Sequence, residues 1–205
     1  NGWNGTATSA GVHAVSSHYT NLIEGCYIGT NAAGTASIPN GIGIWLEDSS
    51  AEIGHHFNAL TDLTADGARN VISGNTGDGL LVTGNGAIIS GNHIGVDASG
   101  LIGLGNGGDG VEINSASIVQ LGNTTTQTPG LSDGNIIGDN GGNGVRITGA
   151  SSEFNGAFMA VIGTDLSGTI PLGNAGAGFL IEGGASHCSV NGFAAGHPSI
   201  IAFNG

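Results

Sequence analysis

The chain contains no lysine, and its only cationic side chains apart from histidine are two arginines, against fifteen aspartates and glutamates. The formal net charge of −13 argues against nucleic acid and anionic lipid as partners, because both are bound mainly through lysine and arginine contacts to phosphate. A surface of this kind repels other copies electrostatically and tolerates divalent cations.

Cysteine, proline and long apolar runs are also scarce. Two cysteines in 205 residues exclude a disulfide-dense scaffold, and no apolar run approaches the length of a membrane-spanning helix. Forty-two glycines with four prolines and no Gly-X-Y period exclude collagen. No signal segment is visible, so either it was removed or the sequence is part of a longer chain. This composition favours an exported bacterial protein, extracellular or at the cell surface, over a cytosolic enzyme.

A glycine followed by an apolar, variable, apolar triplet recurs along the whole chain. The six glycines are separated by 32, 36, 31, 34 and 34 residues, and they are Gly11, Gly43, Gly79, Gly110, Gly144 and Gly178. Asparagines precede five of them by three or four residues, and a sixth closes the series: Asn40, Asn75, Asn106, Asn140, Asn174 and Asn204. A repeat of this period predicts a solenoid, in which each coil buries its apolar face against its neighbours.

Three short strands are expected in each coil. The first and third residues after each glycine are apolar throughout, which predicts a strand with those side chains inside and the alternate ones outside. A second strand is expected around Ile23, Ile53, Ile89, Leu121 and Val190, and a third before each asparagine. Glycine, asparagine and aspartate at the corners suit tight turns. The prediction is an all-β parallel β-helix of about six coils, with residues 1–10 as a lead-in and 11–205 as one domain.

The polar residues at the corners have a structural interpretation. The stacked asparagines are expected to form a ladder that satisfies turn backbone groups. Asp97 and Asp165 occupy equivalent turns two coils apart, where Asx side chains usually cap their own backbone. A loosely bound Ca²⁺ at these aspartates is the alternative, and no other cofactor is expected.

The stretches Asn70–Asn75, Gly91–Gly100 and Asn106–Ile113 resemble the right-handed parallel β-helix repeats of bacterial surface proteins, within the pectin-lyase-like superfamily. The resemblance covers about residues 11–205 and implies the fold and its right hand. Such repeats occur in lyases, hydrolases, adhesins and scaffold proteins, so the fold alone does not choose among functions. The enzymes of the superfamily imply a polysaccharide substrate on the outward face of one sheet.

A catalytic group would have to stand on that outward face. Arg146 follows Glu112 by one coil and Glu182 lies one coil further, a pattern expected to give a surface ion pair rather than an acid–base pair. Glu47 and Asp48 are adjacent, but Thr83 follows Glu47 in the next coil, so no ladder of acids is expected. No catalytic residue is assigned on this basis.

Three outward residues in successive coils suggest a ligand-binding strip. His13, Trp45 and Leu81 could stack against a sugar ring. The seven histidines contain no His-x-x-x-His or His-x-His spacing and predict no metal site. Cys26 and Cys188 lie in the first and last coils, too far apart to bridge within one chain, and are expected to be buried thiols.

The two ends of the predicted stack suggest self-association. Apolar residues expected at these ends are Trp3, Val12, Phe179, Ile200 and Phe203. Solenoids normally end in polar capping repeats, and none is visible here. The favoured prediction is a non-enzymatic structural subunit that stacks head to tail into a fibre or surface layer. An adhesin or glycan-binding module and a polysaccharide lyase or hydrolase are the alternatives.

Overall fold

The computed structural model describes residues 9–15, 21–54, 68–122, 134–192 and 198–205, and β-strands are the only regular secondary structure in these ranges. Sheet A contains β1 (Ala10–Val15), β4 (Ile42–Glu47), β7 (Leu80–Val82), β10 (Val111–Asn114), β13 (Val145–Thr148) and β16 (Phe179–Ile181). Sheet B contains β2 (Asn21–Ile23), β5 (Ala51–Gly54), β8 (Ile88–Ser90), β11 (Gln120–Leu121), β14 (Gly156–Phe158) and β17 (Ser189–Asn191). Sheet C contains β3 (Tyr27–Ile28), β6 (Val71–Ile72), β9 (His93–Ile94), β12 (Ile136–Ile137), β15 (Val161–Ile162) and β18 (Ile200–Ile201).

Each coil adds one strand to each sheet, and consecutive coils pair in parallel throughout the described part of the chain. The glycine-led strands are in the register that the repeat predicts, with Val111 opposite Val145 and Ile113 opposite Ile147. The predicted parallel β-helix with three strands per coil is therefore confirmed.

The core is a column of aliphatic side chains between the three sheets. Its largest members are fully buried: Ile44, Leu46, Ile53, Ile72, Leu80, Ile89, Ile94, Ile113, Leu121, Ile137, Ile147 and Ile162. In the first and last coils, Val12, Ala14 and Phe179 are only partly buried, and Ile181 is 43% exposed. These end residues have a neighbouring coil on one side only.

Two ladders of asparagine side chains run along the corners of the stack. Between sheets C and A, each Nδ2 donates to the Oδ1 of the next asparagine at 2.8–3.0 Å, in the order Asn40, Asn75, Asn106, Asn140, Asn174, Asn204. Between sheets B and C, Asn70, Asn92 and Asn135 form a second, shorter ladder. The first ladder is the one predicted from the sequence. The second shows that stacked asparagines also bond to one another at the corner between sheets B and C.

The outer face of sheet C is covered by three equivalent loops. Isolated antiparallel bridges close them at Thr30–Ser37, Val96–Gly103 and Thr164–Pro171. Under them, Val96, Ile136, Val161 and Leu172 form a second, smaller apolar cluster outside the main core. In the sequence, these loops begin with the related segments Ile28–Gly34, Ile94–Gly100 and Ile162–Gly168. Sheet A carries no such cover among the described residues.

Some predicted features fall outside the described ranges. These are residues 1–8 of the lead-in, which include Trp3, and the segments 55–67 and 123–133. A helix of the length and hydropathy needed to cross a membrane is not found in the portion that the structure describes.

Candidate functional site

The open outer face of sheet A carries most of the chemically distinctive side chains. Its central row follows the strand register from coil to coil: His13, Trp45, Leu81, Glu112, Arg146 and Leu180. The row therefore changes along the stack from aromatic and apolar groups in the first three coils to charged groups in the next two.

The three residues of the predicted ligand-binding strip lie in one row on adjacent strands of sheet A. The rings of His13 and Trp45 are stacked, with centroids 4.2 Å apart and planes 9° apart, and Leu81 lies opposite Trp45 on the next strand. His13 Nε2 lies 2.8 Å from Glu47 Oε2, so Glu47 orients the imidazole. The Trp45 Nε1–H is buried without a hydrogen-bond partner in the structure, an arrangement that typically costs about 1–3 kcal/mol.

Next to this strip, three carboxylates converge that the sequence reasoning did not identify. One ligand oxygen each from Asp78, Asp109 and Glu112 lies within 4.8 Å of the others. Asp78 and Asp109 occupy the same turn in adjacent coils, and Glu112 points outward from β10. The recurring Asn-x-Gly-Asp-Gly motif, at 75–79 and 106–110, was the signal that could have placed them together.

Hydrogen bonds give Asp78 and Asp109 a structural role. Asp78 Oδ1 accepts the backbone N–H of Asp109 at 2.7 Å. Asp109 Oδ1 in turn accepts the backbone N–H and the Nδ2–H of Asn143, at 2.6 and 2.9 Å, and Asn143 Oδ1 accepts the N–H of Ala177. The two acids thus belong to an Asx ladder that runs beside the asparagine ladder.

Burial and the closeness of the negative charges determine how the carboxylates of this group titrate. Burial, with further contributions from Glu112 and Asp109, raises the pKa of Asp78 to about 6, although the N–H of Asp109 and the charge of Arg146 oppose this. Such a group can hold a shared proton or a cation.

Arg146 forms the ion pairs that the sequence predicts. Its guanidinium lies 2.7 Å from Glu182 and 3.5 Å from Glu112. The hydrogen bond that Arg146 donates to Glu182 is the main cause that raises the pKa of Arg146. Arg146 therefore links the carboxylate group to the next coil.

The weak metal candidates Asp97 and Asp165 are capping residues of the loops over sheet C. Asp97 Oδ1 accepts hydrogen bonds from the Ser99 hydroxyl at 2.6 Å and from the Ser99, Leu101 and Ile102 N–H groups. Asp165 makes the equivalent bonds in its own loop. Neither belongs to a group of three or more potential metal ligands among the described residues.

Both cysteines are free, and they are less buried than predicted. Cys188 is partly buried against the core, and Cys26 is exposed. The expectation of a buried Cys26 is wrong because the residue lies at a corner of the first coil, where no other described coil covers it.

The residues predicted at the ends have different positions. Val12 and Phe179 face the core from the first and last strands of sheet A. Ile200 pairs with Val161 in the outward row of sheet C, so Ile201, which is 46% exposed, is the inward residue of β18. Phe203 is 56% exposed and has a left-handed φ of 62°, at the corner position that Gly173 occupies one coil earlier.

The fold and its faces define a parallel β-helix repeat protein with one covered and one open outer surface. Comparison of the chain with protein-family models, with curated proteins and with solved structures gives no match.

Proposed function

We propose that the protein is a non-enzymatic structural β-helix whose copies stack end to end, as part of an extracellular fibre or surface layer. The observation that carries this proposal is that the first and last coils of the described stack leave strand edges unpaired and, in the last coil, inward apolar residues exposed. A pectin-lyase-like ancestry and a bacterial surface setting belong to the same proposal, supported by the repeat pattern and by the lysine-free, acidic composition.

The terminal strands have neighbours on one side only. In the described residues, β1, β2 and β3 pair solely with the second coil, and β16, β17 and β18 solely with the fifth. Unpaired strand edges present free N–H and C=O groups that readily pair with another chain. Inward apolar residues are exposed there as well, in particular Ile181 and Ile201.

The repeat register fits the two ends to each other. Asn174 precedes Gly178 by four residues, and the same spacing after Asn204 would place Gly11 of a second copy on the strand that follows β16. Asn204 accepts from Asn174, and its own N–H would then face Asn40 of the second copy. Each sheet and the asparagine ladder would continue across the junction in the register found inside the chain.

The proposal is tested by measuring mass as a function of protein concentration, with sedimentation and negative-stain electron microscopy. We expect polymers with the axial repeat of the β-helix. Ile181→Asp should block them, because it places a charge in the junction. Ile102→Asp, which makes the same change at a 64% exposed residue on the side of the stack, should not.

Both variants should keep the strand signal in circular dichroism. A chain that stays monomeric at high concentration, or an Ile181→Asp variant that still assembles, would refute end-to-end stacking. A monomer that assembles only when further coils of the same polypeptide are added would indicate instead that those coils cover the ends.

A glycan-binding face is the second candidate, and the stacked His13–Trp45 pair beside Leu81 favours it. The two rings cover one face of each other, so a sugar would contact their edges and the uncovered face of His13. Because the net charge is −13, neutral oligosaccharides should bind better than oligouronides.

The chain has two tryptophans, so a Trp3→Phe variant would report Trp45 fluorescence alone. Neutral oligosaccharides should change that fluorescence saturably, and the change should weaken in a variant that also carries Leu81→Ala. An unchanged signal with every sugar tested removes this candidate.

A further inference from the structure

Arg69, which has no counter-ion among the described residues, lies beside the covered face of sheet C. Arg69 directly precedes Asn70 of the second ladder, and the equivalent residues before Asn92 and Asn135 are Gly91 and Gly134. Gly134 lines an open space beside Arg69. Arg69 uses this space, since its Nε donates to the carbonyl of Gly91 at 3.3 Å.

The space forms an open pocket of about 100 Å³, bounded by the loops over sheet C. Its polar lining comes from Arg69, His93 and Ser99, and its apolar lining includes Leu101, Ile136 and Leu166. Leu101 and Leu166 are exposed, so the pocket joins one cationic group to a small apolar rim.

No described carboxylate neutralises the charge of Arg69. Arg69 forms no ion pair with any residue in the described ranges, whereas Arg146, the other arginine, contacts two glutamates. A guanidinium has five N–H donors, and the structure gives Arg69 one hydrogen bond, to Gly91. The chain has fifteen acidic residues, and none of those described pairs with Arg69. The guanidinium is therefore available to the carboxylate of a ligand.

His93 completes the polar side of the pocket. The ring is 4% exposed, and its Nδ1 lies 3.1 Å from the carbonyl oxygen of Asp97. Because a carbonyl only accepts, the proton lies on Nδ1, and Nε2 of the neutral ring is an acceptor. Burial, together with the charge of Arg69, lowers the pKa of His93 to about 4, so the imidazole adds no positive charge at neutral pH.

We propose that this pocket binds the carboxylate group of a small organic acid, held by the Arg69 guanidinium, with the apolar part of the ligand against Leu101 and Leu166. The planar fork of arginine matches a carboxylate with two parallel hydrogen bonds. A single cation neutralises one negative charge, which favours a monocarboxylate over a phosphate dianion in this acidic protein. A hydroxyl on the ligand could donate to His93 Nε2.

The two-arginine composition allows a direct test by NMR. The ¹⁵N-labelled protein should give two arginine Nε–Hε signals, and Arg69→Lys should assign one of them by its disappearance. Acetate, isovalerate and inorganic phosphate are then titrated separately at constant ionic strength. We expect a saturable shift of the Arg69 signal with acetate and tighter binding of isovalerate, while the Arg146 signal stays fixed.

Two variants sharpen the test. Arg69→Gln should weaken isovalerate binding by about tenfold or more, because a hydrogen-bonded charge is lost, as measured through the His93 ring signals. Arg146→Gln is the matched control and should leave binding unchanged. Equal, non-saturating shifts of both arginines, tighter binding of phosphate than of either carboxylate, or full binding by Arg69→Gln would each overturn the proposal.

Discussion

The outer faces of sheets A and C start from the same repeat and differ in what covers them. On sheet C, loops lie over the strands and bury outward residues such as His93 and Ile136. On sheet A, the outward row is half-exposed and carries opposite charges. The two arginines follow this division: Arg146 is paired on the open face, and Arg69 is unpaired among the described residues beside the covered one. An outward position in this β-helix is therefore a surface position only where no loop covers it.

The largest expected effect is a loss of stability when a packed side chain is removed, and it should differ between the two faces. Ile136→Ala removes a residue buried under the loops with Val96, Val161 and Leu172 and should lower the free energy of unfolding by about 2–5 kcal/mol. Leu81→Ala, at an outward position of sheet A, should lower it by roughly 1 kcal/mol. Urea unfolding of both variants measures the difference, and equal losses would show that the loops do not create a second core.

The next effect is a pH dependence of stability that comes from Asp78, a corner residue beside the open face of sheet A. Because the pKa of Asp78 is raised from 3.8 to about 6 in the folded state, folding takes up a proton between these values. Stability contributed by this proton is present at low pH and is lost as pH rises, by up to about 3 kcal/mol above about pH 6. Burial is the main cause of this shift; the charges of Glu112 and Asp109 add to it and the charge of Arg146 opposes it.

Asp78→Asn keeps an oxygen for the N–H of Asp109 and removes the charge. It should stabilise the protein at about pH 8 and have little effect at about pH 3.5. Urea unfolding across this range measures the change. A variant that is destabilised at about pH 8 would show that the carboxylate is needed in ionised form, for example to hold a cation.

Asp165, which caps one of the loops over sheet C, should respond with the opposite sign. The hydroxyl of Ser167, followed by backbone N–H groups of the same loop, holds the pKa of Asp165 well below its usual range. The stability it contributes is therefore present above about pH 4 and is lost as pH falls. Asp165→Asn should destabilise the protein by about 2 kcal/mol at neutral pH, and thermal unfolding at several pH values measures the loss. A neutral result at pH 7 would contradict the capping role.

The smallest effect concerns the paired arginine. Arg146→Gln breaks two surface ion pairs and should cost less than about 1 kcal/mol, less still in high salt. Because the charge of Arg146 lowers the pKa of Asp78, the same variant should move the pH transition of Asp78 upward. An unchanged transition would show that Arg146 does not act on the carboxylate group.

The solenoid was predictable from the sequence because its period, its inward residues and its corner asparagines are each repeated. The Glu112–Arg146 pair was predictable for the same reason, since strand register follows from the repeat. The group of Asp78, Asp109 and Glu112 was missed because it joins a corner to a strand. Outward alternation does not describe corner residues, and their hydrogen bonds become visible only in three dimensions.

The repeat pattern also could not predict that outward residues of sheet C are buried. His93 and Ile136 follow the same alternation as exposed residues elsewhere, and only the path of the loops distinguishes them. The position of Ile200 in the outward row, with Ile201 inside, shows how a shift of one residue in a two-residue strand reverses the face.

The asparagine ladder has a direction. In each of the five bonds between its members, the side-chain Nδ2 donates to the Oδ1 of the next asparagine toward the carboxyl-terminal side of the stack. A junction that continues this chain of bonds cannot be two-fold symmetric, so the resulting fibre would be polar. Its two tips would differ chemically, one offering donors and the other acceptors, and subunits should add to them at unequal rates.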